Sequence, residues 1–96
     1  MNDLKFTWDE KKALKNQTKH NVSFEEAITV FLDDFGRLIL DPEHSEDEDR
    51  FILLGKSNKF KFLLVCHCYR KNGEEIRIIS ARKANNFEQK QYRGFS

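Results

Sequence analysis

No apolar run in this sequence approaches the ~18 residues that a membrane-spanning helix needs. The first residues, Met1-Asn2-Asp3-Leu4-Lys5-Phe6, lack the apolar stretch of a secretory signal. A cytoplasmic protein with no membrane contact is therefore expected. Cysteine is scarce, with Cys66 and Cys68 the two present. Two positions apart on a strand, they point the same way, a spacing poorly suited to the Cβ geometry of a disulfide. No second pair exists to complete a four-thiolate zinc site. They read as small buried apolar residues, and neither a metal nor a cofactor is expected. A Gly-rich phosphate loop and a Ser-His-Asp arrangement are also missing. The stretch Asp41–Asp49 holds six carboxylates and His44. It lacks the central glycine and ligand spacing of a calcium loop, so a solvated acidic loop is expected.

What is present is a polar globular chain. Its 96 residues, 39% apolar and 34% charged, fit one domain spanning 1–96. Net charge is only +1, but it is unevenly spread. Residues 1–54 hold seven Lys/Arg against thirteen Asp/Glu, and residues 55–96 hold ten against three. A basic second half of this kind points to a polyanionic partner, although a basic face can also be merely solvated.

Leu4–Trp8 alternates and is rich in β-formers, which predicts a short strand. Asp9 offers an N-cap to a helix over Glu10–Lys19, which should stop near His20-Asn21, where Asn tolerates a left-handed conformation. Ser23-Phe24-Glu25-Glu26 reads as a reciprocal capping box opening a second helix to about Phe31. Phe24, Ala27, Ile28 and Phe31 share one face of that helix. Arg37–Leu40 and Phe51–Leu54 read as strands, with turns at Asp33–Gly36 and Gly55–Asn58.

Phe60–Arg70 and Glu74–Lys83 then flank Asn72-Gly73, a strong hairpin signal because both turn residues need positive φ. Centred there, the register opposes Arg70 to Glu75, Cys68 to Arg77 and His67 to Ile78. It further opposes Val65 to Ser80 and Leu63 to Arg82, which would put His67, Ser80 and Arg82 on one face and Arg77 on the other. A bulge would change that assignment. Asn85–Glu88 caps a last helix to about Arg93, with Phe87 and Tyr92 as anchors. The order β-α-α-β-β-β-β-α predicts an α+β fold: a small, mostly antiparallel sheet with helices on one face and the other partly open to substrate.

The residues resemble the BrnT toxins. The likeness lies in Phe6-Thr7-Trp8-Asp9 with Lys12, in Lys19–Ala27 and Val30-Phe31, and in Asp41–Ser45 with Arg50-Phe51. It continues in Arg77–Ala84, Glu88 and Tyr92. The resemblance implies a RelE-like fold, RNA cleavage that inhibits translation, and a DNA-binding antitoxin of the BrnA type that silences the toxin. It also implies repression of the operon by the pair, with operator DNA reached only through the antitoxin. A homodimer is compatible with it.

RNA carries its own nucleophile, the 2′-hydroxyl, so an RNA-cleaving site can work without metal. It needs one group to take that proton, one to protonate the departing 5′-oxygen, and cations to steady the phosphorane. The basic half lacks clustered carboxylates, which argues against a two-metal nuclease. His67, Arg77, Arg82 and Tyr92 are the expected catalytic residues, with Lys19, His20, Ser80 and Lys83 holding RNA. Each has a plainer reading: a core histidine for His67, a surface ion pair for Arg82, a packing anchor for Tyr92, and solvated loop residues for Lys19 and His20. Glu88 is the one acid placed to orient an arginine. The competing reading is a non-catalytic module that binds RNA or antitoxin and acts as co-repressor.

Overall fold

Asp9 ends the first strand by turning its carboxylate back on the next turn of chain. Its Oδ1 accepts the Lys11 and Lys12 N–H groups and starts the first helix. A computed structural model describes residues 4–40 and 49–93 of the protein. Residues 41–48, with His44 and nearly all of the acidic stretch, lie outside the described residues, as do 1–3 and 94–96.

The elements are β1 (Lys5–Thr7), α1 (Glu10–His20), α2 (Phe24–Thr29) with a 3-10 turn Val30–Leu32, β2 (Arg37–Leu40), β3 (Phe51–Lys56), β4 (Phe62–Arg70), β5 (Glu75–Lys83) and α3 (Asn86–Arg93). This is the element order read from the sequence. Asn21 closes α1 at φ 57°, in the left-handed region expected of it. Ser23 caps α2 by accepting the Glu26 N–H. The reciprocal half of that box does not form. Glu26 is buried and accepts instead from the Ser57 hydroxyl at 2.7 Å. A long-range partner has displaced the local one.

Five strands form one mixed sheet in the order β1-β5-β4-β3-β2, antiparallel throughout except for the parallel β1–β5 pair. One face carries Leu53, Leu63, Val65, Ile76, Ile78 and Ala81, packed under Val22, Phe24, Ala27 and Val30 from α1–α2. Burying such side chains contributes roughly 1.5–3 kcal/mol each. Trp8 joins this core edge-on against Phe24. Gly55 lets β3 pass beneath the 3-10 turn, because a Cβ there would lie 2.7 Å from Val30 Cγ1. The third helix reaches the other face: its Tyr92 packs on Phe62 and its Glu88 on Arg82.

The β4–β5 hairpin corrects the expected register. Arg70–Glu75, Cys68–Arg77 and His67–Ile78 pair as predicted. A bulge then intervenes, leaving Ile79 unopposed between Ile78 and Ser80, so Val65 faces Ala81 and Leu63 faces Lys83. Beyond it every side chain of β5 changes face. Ser80 and Arg82 therefore lie with Cys66 and Arg77, on the side opposite His67. The turn also differs, with positive φ at Lys71, Asn72 and Gly73 rather than at two residues alone.

Candidate active site

The bulge turns Ser80 and Arg82 toward a cleft on the face away from the core. The cleft has a volume of about 410 Å³. Lys19 and His20 reach it from the end of α1, Arg50 from just before β3 and Ile52 from β3, Leu64 and Cys66 from β4, and Ser80 and Arg82 from β5.

Two features hold these pieces in place. Asn16, buried in α1, takes the role of a missing strand along β5. Its Nδ2 donates to Ala81 O and Val22 O, each at 2.9 Å, and its Oδ1 accepts the Ala81 N–H at 3.0 Å. This fastens the helix end bearing Lys19 and His20 beside Ser80 and Arg82. The second feature is a reciprocal capping box at α3. Glu88 N donates to Asn85 Oδ1, and Asn85 N donates to Glu88 Oε1. The same Glu88 carboxylate accepts two hydrogen bonds from Arg82, from Nη1 at 2.9 Å and Nη2 at 2.7 Å. The pair reinforces both charges: Arg82 beside it holds the Glu88 carboxyl below the usual range, and Glu88 raises the guanidinium.

The electrostatic character of the cleft is one-sided. Lys19, Arg50 and Arg82 line it, with the imidazole of His20, and no carboxylate does so among the described residues. Arg50 adds a specific signal. Its Nε is buried and has no hydrogen-bond partner among the described residues. A buried donor left unpaired costs on the order of 1–3 kcal/mol. Arg50 was expected, with Phe51, only as part of the family likeness and not as a site residue. Its position directly after the acidic stretch, as a lone cation ahead of an apolar strand, was the available cue.

The remaining expected residues lie elsewhere. His67 is fully buried on the core side, edge-on to Phe31 at 4.9 Å between ring centres. Its Nδ1 must donate to Val65 O, since a carbonyl only accepts, so Nε2 accepts from the Tyr69 hydroxyl. Burial pushes its pKa below the usual imidazole value. Arg77 faces the same side as Arg82, nearer the hairpin turn and outside the cleft lining. Lys83 is exposed on the opposite side of β5. Tyr92 donates to Asp33 Oδ2 at 2.8 Å, and burial with that partner pushes its phenol up to about 12. Cys66 lines the cleft and Cys68 is buried, and neither is in a disulfide. Among the described residues no group of His, Cys, Asp and Glu is placed to hold a metal ion, and no helix is long and apolar enough to cross a membrane.

An α+β domain that draws two arginines, a lysine and an imidazole into one cleft, with no carboxylate lining it among the described residues, belongs to the class of proteins that handle phosphate polyanions. Comparison with known proteins narrows the class. Residues 8–88 match the family model for the ribonuclease toxin BrnT of type II toxin–antitoxin systems, and the chain belongs to that family. The fold is similar to the crystal structure of the ribonuclease toxin BrnT of Brucella abortus. The TM-score is 0.67 at 25% identity, over 88% of this chain and 100% of that one. No curated protein matches the chain in sequence.

Proposed function

We propose that the chain is an endoribonuclease that cleaves RNA in this cleft without a metal ion. The observation that carries the reading is the convergence of Lys19, His20, Arg50, Ser80 and Arg82 from three separate segments on a cleft with no lining carboxylate among the described residues. Arg82 and Arg50 hold the scissile phosphate and steady the negative charge of the phosphorane. The Ser80 hydroxyl and Lys19 ammonium hold flanking phosphate oxygens. The RNA 2′-oxygen attacks phosphorus and its proton passes to solvent water. The bond from phosphorus to the 5′-oxygen breaks, and His20 gives that oxygen a proton. The products are a 2′,3′-cyclic phosphate and a 5′-hydroxyl end.

Arg77 extends the cationic surface of this face as an RNA contact outside the cleft, while Lys83, on the opposite side of β5, is left without a role in it. His67 acts as part of the frame behind it, and Tyr92 anchors α3 on the cleft's own face of the sheet. In the cell the chain acts in the cytoplasm, inhibits translation, and is neutralised by a DNA-binding antitoxin of the BrnA type. Family membership supports the antitoxin and the RNA substrate.

The test is incubation of purified protein with RNA in excess EDTA. Cleavage is expected, with Arg82→Ala and His20→Ala reducing it while melting temperature stays near that of the parent. Intact RNA with tight binding retained would favour the co-repressor module instead. Cleavage that EDTA abolishes would overturn the metal-free mechanism.

A further inference from the structure

The proposed cleft puts its principal phosphate ligand, Arg82, in a bond pattern that leaves one edge of the guanidinium open. Nη1 and Nη2 both donate to Glu88, and Nη1 donates its other hydrogen to Lys83 O at 3.3 Å. Guanidinium is planar with five N–H groups. The hydrogens left over are Nε–H and the second one on Nη2, which lie side by side and form the fork that grips a phosphate through two oxygens. Among the described residues neither has a partner.

Glu88 is itself fixed by its reciprocal bonds with Asn85 at the start of α3. A chain of contacts therefore runs from the helix cap to the cleft. An arginine side chain left alone samples many rotamers, and ordering it costs entropy each time a ligand binds. An exposed ion pair contributes little to stability, so orientation is the larger effect of this one. We propose that Glu88 is a positioning residue of the cleft: the Asn85–Glu88 cap locks Arg82 by one edge and presents the Nε–Nη2 edge to the scissile phosphate. This rests on the reading of the cleft as the site of RNA cleavage.

The discriminating variant is Glu88→Gln. Glutamine also serves in a capping box, so α3 keeps its cap. The charge partner of Arg82 is lost, and an amide N–H₂ can turn toward the guanidinium. Cleavage is expected to fall through kcat with KM little changed, by on the order of 10²-fold if the guanidinium is misplaced by an ångström. Melting temperature is expected to stay near that of the parent. Parental cleavage in Glu88→Gln would make Glu88 a helix cap and nothing more. Raised cleavage, or tighter binding of a 2′-O-methyl RNA oligonucleotide, would make Glu88 a screen over Arg82. Either result overturns the proposal.

A second measurement uses the parent protein. Adding the same oligonucleotide is expected to shift the Arg82 Nε–H resonance, and an unmoved resonance overturns the proposal even where the variant folds poorly. Arg82→Ala separates the two readings. If it cleaves like the parent, the cleft assignment itself fails. If it is inert while Glu88→Gln is fully active, the positioning role alone fails.

Discussion

Asn16 and His67 are both buried polar residues, and each has a different consequence. The Asn16 amide satisfies one backbone N–H and two backbone carbonyls that no strand reaches. Asn16→Ala strands all three in the interior, where unpaired groups cost on the order of 1–3 kcal/mol each. A loss of at least about 2 kcal/mol is expected in urea unfolding. Nothing in Lys15-Asn16-Gln17 marks the middle residue, because its partners are residues 22 and 81. His67 is held neutral by burial, with its imidazole pKa below the ordinary value. The unfolded chain therefore takes up a proton at a higher pH than the folded one. The stability that this residue contributes is complete above the unfolded value of ~6.5 and is lost as pH falls below it. Melting temperature should drop from pH 7.5 to 5.5, and His67→Gln should flatten that drop. An equal drop in both proteins would count against the assignment.

At the scale of elements, legibility followed the range of the interactions. The Asp9 cap, the left-handed Asn21 and the Asn85–Glu88 box rest on neighbours within three or four residues, and all were readable. So was the hairpin as far as His67–Ile78. The bulge was not, since Ile78-Ile79-Ser80 contains no glycine or other turn residue to announce it. Its cause is tertiary: Ala81, with almost no side chain, fits the crowded core row opposite Val65 and beside Asn16, where Ser80 or Arg82 would bury polar groups. The residues of the cleft were consequently legible by type and not by face. Lys19, His20, Ser80 and Arg82 do meet, while His67 is placed behind the sheet. The β3 crossing under the 3-10 turn offers a test of packing between elements. Gly55→Ala would bring its methyl to 2.7 Å from Val30 Cγ1, and overpacking of this kind costs about 1–3 kcal/mol. Unchanged stability in Gly55→Ala would show that the turn yields freely.

At the scale of the whole molecule, the division of charge becomes a division of surfaces. The basic second half supplies β4 and β5, yet the acidic half contributes Lys19, His20 and Arg50 to the same cleft. Composition by halves therefore pointed to only some of the residues that line the cleft. Binding of single-stranded RNA releases counterions, and the logarithm of affinity falls with the logarithm of salt at about 0.7 per phosphate neutralised. With Lys19, Arg50 and Arg82 making three ion pairs with phosphate oxygens, a slope of about −2 is expected for a 2′-O-methyl RNA oligonucleotide. Arg82→Ala should make that slope shallower by about 0.7. Lys11→Ala, an exposed cation on α1 outside the cleft lining, should leave it unchanged. Equal changes from the two substitutions would mean that RNA senses the net charge of the molecule and not the cleft. The slope thus separates a diffuse basic field from an assembled site, a distinction that the charge count of either half does not make.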